Sequence, residues 1–479
     1  MASMSDAATV TTGRWRELLG RDRLGTSTLL AGGVALFATN EFLTISLLPS
    51  TIADIGGQRF YAWVVTVYLV GSVVAATAVN PLLIRFGPRM AYLLTLTLFG
   101  AGTVGCAIAP TMELLLVARI VQGAAGGTLA GLGYAVINTA LPDRLWTRAS
   151  ALVSAMWGVS VIIGPAMGGV FAQLGIWRWG FGSLAIATFA MAALVPGALP
   201  SQEKSRPTSA VTRIPVWSLL LLGAAALAIS LAGVQHIAVA TAGLLALGVA
   251  LVSCFVVIDR RTRARVLPRA AFGSGPLKWM YVSVGLLMAA TMADMYVPLF
   301  GQRLAHMTPV AAGFLGAVLA VGWTLSEIAS ASVNTIRVVV RLVAAAPVIM
   351  AIGLGLAAFI VNDQPRWPLI VAWVAALLIT GAGVGMAWPH LSAWIMGAVD
   401  DPLEGGAAAA AINTVQLISG AFGAGLAGVV VNATAGGEVV TARWLFGIFG
   451  LLAAIGVVAA YRANPTSTPA TIRGPRRAV

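Results

Sequence analysis

Long apolar runs separated by short polar segments are the main pattern of this 479-residue chain. About 20 apolar residues in an α-helix cross the hydrocarbon core of a bilayer, and runs of that length occur in groups of six, two and six. The predicted spans are 28–50, 61–83, 91–109, 113–138, 150–172, 178–198, 216–234, 237–258, 278–300, 309–331, 338–361, 368–392, 405–432 and 442–461. The pattern predicts an all-α polytopic membrane protein with about fourteen transmembrane helices.

The distribution of basic residues supports this count. With the N-terminus inside, 23 of the 29 Lys and Arg residues fall in cytoplasmic segments, five fall in outer segments, and Arg119 is left within a span. This excess is the positive-inside signal, and a missed helix would scramble it. We therefore expect a multi-pass protein of the plasma membrane with both termini in the cytoplasm.

Composition argues against several other classes of protein. The chain is 59% hydrophobic and only 9% charged, whereas soluble domains are about 25% charged. The net charge of +13 reflects the topology signal, so we expect no nucleic-acid partner. Cys106, Cys254 and the three histidines are scattered. The sequence therefore predicts no metal site, no cofactor and no enzyme active site.

The spans and linkers divide the chain into five parts. They are a cytoplasmic N-terminal segment at 1–27, a six-helix bundle at 28–199, cytoplasmic linkers with two inserted helices at 200–277, a second six-helix bundle at 278–461 and a cytoplasmic tail at 462–479. Each bundle places one carboxylate, Glu41 or Asp294, a few residues before a proline in its first helix. Internal repeats are typical of transporters. The inserted pair carries almost no charge, so we expect it to lie outside the central cavity.

The fourth predicted helix contains the most unusual residue of the spans, Arg119. An arginine inside a bilayer costs at least about 2.5–3.5 kcal/mol, so it requires a partner or a water-filled cavity. Gly123, Gly127 and Gly131 follow at intervals of four. They share one helix face, which allows another helix to pack closely against it.

Several motifs resemble those of the major facilitator superfamily. The run R-x-x-Q-G at Arg119, Gln122 and Gly123 is similar to its motif B. The first helix, NEFLTISLLP, is similar to a run in sugar and drug exporters, and it has Asn40 where the fourteen-helix group usually has aspartate. The fifth helix has a glycine–proline run similar to motif C, which marks exporters: Gly158, Gly164, Pro165, Gly168 and Gly169.

Together these features resemble the fourteen-helix drug:proton antiporters of that superfamily. The resemblance implies a major facilitator fold, with two pseudo-symmetric six-helix bundles and two inserted helices. It also implies a cytoplasmic gate after the second helix, where Arg85, Gly87 and Arg89 remain of motif A but its aspartate is missing. Glu327, near the inner end of its helix, either supplies this gate with a charge or pairs with the arginines that follow it.

Three charged side chains are predicted at similar depth. With a rise of about 1.5 Å per residue, Arg119, Glu41 and Asp294 lie about 9, 12 and 10 Å below the outer ends of their helices. The resembled fold implies that their three helices line one cavity. A buried carboxylate near an arginine can change its protonation state near neutral pH. We predict that these residues couple protons to transport; a static Glu41–Arg119 ion pair and a structural Asp294 are the alternatives.

Other side chains are candidates for the substrate cavity: Asn40, Gln122, Trp373, Asn413 and Gln416. Asn413 and Gln416 are three residues apart and share a helix face, where they contact either a substrate or a neighbouring helix. Tryptophans within the spans provide either a stacking wall for aromatic or cationic ligands or ordinary packing.

The predicted function is proton-coupled export of small amphipathic or cationic compounds by alternating access, as in multidrug efflux. The alternative is a dedicated exporter of one metabolite or lipid with the same fold. Few charged groups lie in the spans, which favours a broad-specificity apolar cavity. The expected partners are a small-molecule substrate, protons as the coupling ion, and a bilayer whose anionic inner-leaflet lipids bind the basic linker at 260–269. We expect the protein to be a monomer.

Overall fold

The computed structural model describes residues 15–464 except 77, 138–140, 143–144, 200–214, 236, 263–264, 274, 334 and 399–401. The first fourteen residues, most of the first polar linker and the tail beyond 464 lie outside the described residues. Every regular element in the described part is helical. Thirteen of its helices are long and apolar enough to span a membrane, and one more apolar helix, Val216–Ala232, has 17 residues. The prediction of an all-α polytopic membrane protein is confirmed.

The described residues of the first half of the chain form a bundle of six long helices, preceded by one short helix. These helices are α1 Trp15–Leu18, α2 Arg21–Ile55, α3 Tyr61–Ala76, α4 Val79–Ile108, α5 Met112–Ala135, α6 Trp146–Gln173 and α7 Trp177–Ala198. A 3₁₀ turn, Gln58–Phe60, joins α2 to α3. The helix α2 begins seven residues before the predicted span at 28, because the polar residues there continue the helix beyond the apolar run.

The second half contains the inserted pair and a second bundle. These helices are α8 Val216–Ala232, α9 Ala238–Arg261, α10 Leu277–Thr291, α11 Val297–Arg303, α12 Pro309–Ala331, α13 Ile336–Ile360, α14 Trp367–Gly397, α15 Pro402–Ala433 and α16 Glu438–Arg462. The stretch predicted at 278–300 is one candidate span, Leu277–Arg303, within which a 3₁₀ segment, Met292–Tyr296, separates α10 from α11.

A bend in α4 explains why the motif A segment has a glycine at position 87. The assigned helix continues through Gly87, whose φ of +72° and ψ of 167° are not helical. A positive φ in this region is readily adopted by glycine and strained for other residues. Gly87 therefore allows the chain to turn between the segment that holds Arg85 and the membrane-spanning part of α4.

The two bundles pack their helices in the same order. In the first bundle α2 packs on α6, α3 on α5, and α4 on both α5 and α7. In the second bundle α10 packs on α15, α12 on α14, and α13 on both α14 and α16. Contacts between the bundles follow the same symmetry. The helix α6 of the first bundle packs on α12 of the second, and α3 of the first packs on α15 of the second. The pseudo-two-fold relation that the resemblance implied is therefore present in the pairing of helices.

The bundles meet at one end of the molecule, which we name the closed face and define by residues 55–61, 173–177, 303–309 and 433–438. The Tyr61 and Tyr296 rings stack across the boundary with centroids 4.4 Å apart, and the Tyr61 hydroxyl donates to the Met295 carbonyl over 3.0 Å. Arg303 donates to Gln58 over 2.8 Å. One apolar core includes residues of both bundles near this face and continues through the second bundle as far as Ala463.

The opposite end, which holds α1 and the last residues of α16, is named the termini face. Here the first bundle has an apolar core of its own, formed by residues such as Leu29, Tyr92, Leu132 and Val195. Among the residues that the structure describes, none of the other bundle belongs to this second core. A shared core at one face and a separate core at the other indicate that the bundles diverge toward the termini face.

The inserted pair lies against the boundary between the bundles. The helix α8 packs on α3 and α15, and α9 packs on α8. Trp63 donates to the Ser230 carbonyl over 3.0 Å, and the Ser230 hydroxyl donates to Thr66 over 3.2 Å. Asp259 is buried at the end of α9 and accepts from Ser218 over 2.8 Å. Hydrogen bonds thus hold α8 to α3 and α9 to α8.

Candidate functional site

Arg119 is buried in the middle of the first bundle and is 1% exposed. Its Nε donates to the Val64 carbonyl over 3.1 Å. One terminal nitrogen donates to Gln122 over 2.5 Å and to Asn40 over 3.3 Å, and the guanidinium carbon lies 4.1 Å from the centre of the Tyr68 ring. All of these partners are neutral. Among the described residues no carboxylate lies within ion-pair distance of Arg119, so its charge is hydrogen-bonded but not neutralised.

The glycines after Arg119 place it against α3. A Cβ atom on Gly123 or Gly127 would collide with backbone atoms of α3, so the two helices touch at this stripe. The Ser72 hydroxyl of α3 donates to the Gly123 carbonyl over 2.9 Å and fixes the contact. Because α5 and α3 lie so close, the side chain of Arg119, one turn earlier, reaches a carbonyl of α3.

Gln122 positions Arg119 and does not face open space in this conformation. Its side chain is fully buried, and its amide nitrogen donates to Thr103 of α4 over 2.8 Å. That bond leaves the Gln122 oxygen directed at Arg119. Although Gln122 was a candidate for the substrate cavity, the structure places it behind the arginine.

Asn40 and Glu41 are neighbours on α2 but occupy different environments. Asn40 is 0% exposed and faces Arg119, whereas Glu41 is half-buried. Successive helical residues point about 100° apart, so Glu41 is turned away from the arginine. The charges of Glu41 and Arg119 still influence each other, although the static ion pair is not formed. Asn40 is therefore the residue that bonds to Arg119, and its neighbour Glu41 is not.

Asp294 lies in the second bundle, in the 3₁₀ segment between α10 and α11. It is half-buried. Its neighbour Met295 accepts the hydrogen bond from Tyr61. Asp294 therefore adjoins the aromatic contact that closes one face.

The space beside these acids opens toward the termini face. On α15, Gly420 contacts Leu69 of the first bundle. Asn413 lies seven residues earlier on the same side of the helix, yet it is exposed, and Gln416 between them is half-buried. The bundles are therefore in contact at Gly420 and apart at Asn413. Of the cavity candidates, these two amides are the ones that face the opening.

The remaining cavity candidate, Trp373, is 2% exposed and packs inside the second bundle. Its ring meets the Phe446 ring edge-on with centroids 6.4 Å apart. A separate cavity of about 430 Å³ opens on the closed face, with Pro49, Gln58 and Arg303 in its wall. Neither the acids nor the predicted substrate residues line that cavity.

The motif C glycines lie at two helix contacts. A Cβ atom on Gly164 or Gly168 would collide with α2 around Leu43, beside Glu41. A Cβ atom on Gly169 would collide with Pro309 and Val310 of α12. The run therefore fits α6 against the helix of Glu41 and against the other bundle. The Pro165 carbonyl lies at the same boundary near Gly313, while Gly158 faces open space.

The predicted cytoplasmic gate is not assembled in this conformation. Arg85 is exposed, with its guanidinium over the Phe86 ring at 5.5 Å, and Arg89 is half-buried. Glu327 accepts from the Trp323 indole over 2.9 Å. Within the described residues Glu327 pairs neither with these arginines nor with those that follow it.

Some residues of the site were not identified from the sequence. The stacked tyrosines Tyr61 and Tyr296 lie near predicted span ends, where an aromatic residue is also typical of the membrane interface. Tyr68, which covers the Arg119 guanidinium, lies in an apolar span without a charged neighbour in sequence. No spacing rule connects these residues to partners in other helices.

The profile of the family described as Major Facilitator Superfamily matches residues 30–424. A protein of Mycobacterium tuberculosis (strain H37Rv) described as a probable multidrug-efflux transporter is 62% identical over 459 residues, which cover 95% of this chain and 97% of that protein.

Solved structures give the same fold at low sequence identity. A POT family transporter in complex with 5-aminolevulinic acid aligns with a TM-score of 0.68 and 11% identity, covering 96% of this chain and 100% of the other. A bacterial homologue of the human lysosomal transporter Spinster, in an inward-facing and unoccupied conformation, aligns with a TM-score of 0.65 and 14% identity, covering 93% and 98%. These similarities support the fold alone.

Proposed function

The chain belongs to the Major Facilitator Superfamily, and we propose that it exports small amphipathic or cationic compounds in exchange for protons. It is a multi-pass membrane transporter. The observation that carries the proposal is the arrangement of three charges: a half-buried Glu41, an unneutralised Arg119 behind it and Asp294 in the facing bundle. Intramembrane charges of this kind mark ion or substrate pathways.

Glu41 is the residue that binds and releases the proton. Its carboxylate has no ion-pair partner within the described residues, so protonation breaks no salt bridge. Arg119 stays in its neutral cradle and attracts the charged form, while burial favours the neutral form. When alternating access exposes Glu41 to the other side of the membrane, this balance changes and the proton moves. No resident cofactor is required.

Asp294 attracts the positive charge of a substrate. A cation beside a carboxylate in a partly dry cavity gains more Coulomb energy than it does in water. The relative from Mycobacterium tuberculosis is described as a probable multidrug-efflux transporter, which supports a broad range of substrates. The wall between the bundles also carries the amides Asn413 and Gln416, which supply hydrogen bonds without a fixed charge.

The conformation described opens to the cytoplasm. The positive-inside distribution supports an orientation with both termini in the cytoplasm and the protein in the plasma membrane, and the bundles diverge toward the termini face. A cysteine placed in the linker at 259–276 tests this orientation, because an impermeant thiol reagent added outside intact cells should not label it. Labelling from outside would overturn the assignment.

The remaining parts have supporting roles. The bundles at 28–199 and 278–461 rock about the boundary, and Arg85, Gly87, Arg89 and Glu327 approach one another when the cytoplasmic side closes. The inserted pair within 200–277 stays outside the cavity, since α8 packs on α3 and α15 and carries no charged residue. The transporter acts as a monomer, and its basic linker contacts anionic lipids of the inner leaflet.

The decisive experiment is uphill transport in proteoliposomes. Accumulation of a lipophilic cation should follow an imposed proton gradient of the correct sign and collapse when an ionophore dissipates it. A neutral amphipathic compound should also be transported. Transport that ignores the proton gradient would reject the exchange mechanism. Transport restricted to one compound of a diverse panel would favour a dedicated exporter, for which Asn413 and Gln416 are the available polar contacts.

A further inference from the structure

The end of α12 near the termini face carries a carboxylate and two indole rings that the coupling mechanism does not use. The Trp323 indole donates to one oxygen of Glu327 over 2.9 Å. The rings of Trp323 and Trp388 have centroids 5.0 Å apart and planes inclined by 56°. All three side chains are half-buried. We call them the α12–α14 cluster.

Close contact of two helices brings the cluster together. A Cβ atom on Gly385 of α14 would collide with the Trp323 carbonyl and the Ser326 hydroxyl of α12. Gly381, one turn earlier, makes the same kind of contact with Leu319. Because the backbones touch at these glycines, the rings of Trp323 and Trp388 lie side by side at the end of the contact.

The cluster faces the boundary between the bundles. On α12, Gly313 contacts Ser46 and Pro165 of the first bundle. Glu327 follows fourteen residues later, which is almost four full turns, so it lies on nearly the same side of the helix and about 21 Å nearer the termini face. At that level Glu327 is half-buried instead of covered by the other bundle. It therefore lies at the mouth of the opening.

The charge of Glu327 is not compensated. Within the described residues no arginine or lysine lies within ion-pair distance of it, and Arg337 and Arg341 on the next helix are exposed. A partly buried carboxylate without a cation is unfavourable. Aromatic ring faces attract cations, with Trp as the strongest partner. One free carboxylate oxygen beside two indoles is the composition of a site for an organic cation.

We propose that Trp323, Glu327 and Trp388 form a binding site for lipophilic organic cations at the mouth of the cavity, separate from Glu41 and Asp294. This inference rests on the proposed function only for the direction of transport. A substrate from the cytoplasmic side binds here before it reaches the central acids. The indoles cover the apolar part of the ligand, and Glu327 supplies the charge. A small hydrated metal ion would gain little from this apolar wall.

The test compares a cation with a neutral probe of similar shape. Binding of tetraphenylphosphonium and of triphenylphosphine oxide is measured by calorimetry on full-length protein in nanodiscs. The background is Glu41→Gln with Asp294→Asn, which removes the central acids. Adding Glu327→Gln keeps an oxygen that accepts from Trp323 but removes the charge. The affinity for tetraphenylphosphonium should fall about tenfold, and the affinity for the neutral probe should change less than about twofold.

Two further variants test the role of the ring. Trp388→Phe keeps an aromatic face and should retain most of the affinity for the cation, whereas Trp388→Leu should lose about three- to tenfold. Glu113→Gln, at an exposed carboxylate in the first turn of α5, is the matched control and should have no effect. If Glu327→Gln weakens both probes equally, or neither, Glu327 only anchors Trp323 and the proposal is wrong.

Equilibrium binding separates this proposal from the exchange mechanism. A wild-type protein that fails to respond to a proton gradient, but loses cation selectivity with Glu327→Gln, would keep the site and reject the coupling. Proton-driven transport with an unaltered preference for the cation in Glu327→Gln would keep the coupling and reject the site.

Discussion

The two bundles pack their helices in the same order but differ in the surroundings of their intramembrane carboxylates, Glu41 and Asp294. In the first bundle, Glu41 lies on an uninterrupted α2, beside an arginine buried in neutral partners. In the second bundle, Asp294 lies in a 3₁₀ segment that interrupts the corresponding helix, and Asp294 forms no ion pair within the described residues. The two bundles therefore share one arrangement of helices, but among the described residues only the first bundle contains a buried arginine, Arg119.

This difference is consistent with separate roles for Glu41 and Asp294. A carboxylate near a fixed positive charge is balanced between its two protonation states, which suits a proton carrier. A carboxylate without such a charge is free to attract a cationic substrate. A short 3₁₀ segment within a helix often marks a hinge, and this one adjoins the Tyr61–Tyr296 contact at the closed face. The second bundle is thus better suited to substrate contact and gating.

The largest effect is expected from the removal of Arg119, the buried base of the first bundle. Arg119→Ala leaves three acceptors in a buried site without their donor, which costs about 1–3 kcal/mol for each one that stays unsatisfied, so we expect a lower free energy of unfolding together with loss of transport. Denaturant titration in detergent measures the first effect. Arg178→Ala is the matched control, because its ion pair with Asp54 is 41% and 48% exposed and should contribute less than about 1 kcal/mol. Equal losses for the two variants would contradict the buried role of Arg119.

The next largest effect is expected at Glu41. Glu41→Gln retains the shape of the side chain but cannot release a proton, so uphill transport driven by a proton gradient should disappear. Downhill movement of substrate in the same proteoliposomes should persist. Transport assays at several pH values, with the wild-type protein in parallel, measure both. Uphill transport with an unchanged pH dependence would make Glu41 structural and Asp294 the next candidate for the proton carrier.

A smaller and more selective effect is expected at Asp294. Asp294→Asn removes charge from the substrate side and leaves the Glu41–Arg119 arrangement intact. The KM for a monovalent lipophilic cation should rise about tenfold, and that for a neutral amphipathic compound should stay within about twofold. Proton-driven transport of the neutral compound should continue. Loss of that transport would show that both bundles carry the proton, and the proposed division between them would be wrong.

The smallest effect is expected from Asn40→Asp, which restores the usual family residue beside Arg119. A carboxylate at this buried position would pair with the guanidinium and stabilise the protein by about 1–2 kcal/mol. Because residue 40 is fully buried while Glu41 is half-buried, the new acid should not replace Glu41 as the proton carrier. The double variant Asn40→Asp with Glu41→Gln should therefore remain uncoupled. Restored uphill transport in the double variant would show that the two positions are interchangeable.

Much of the architecture followed from local composition. The energy of placing a residue in a bilayer depends mainly on that residue, so runs of apolar residues located the spans and exposed the cost of Arg119. The glycine stripe of α5 and the relation between the bundles were also readable, because both depend on spacing along one helix. For the same reason the sequence identified Glu41 and Asp294 as intramembrane acids.

The sequence by itself determined which charges enter the membrane, and only the tertiary structure decided which groups meet them. Membrane helices are apolar on most sides, so periodicity does not fix their rotation. The partners of Arg119 come from residues 40, 64, 68 and 122 on three helices, and the stacked tyrosines are 235 positions apart (296 − 61). Such contacts depend on distances between helices, which are set by close packing at glycines and by hydrogen bonds in a medium without water. The half-buried Glu41, the 3₁₀ break at Asp294 and the indole partner of Glu327 are therefore properties of the folded molecule.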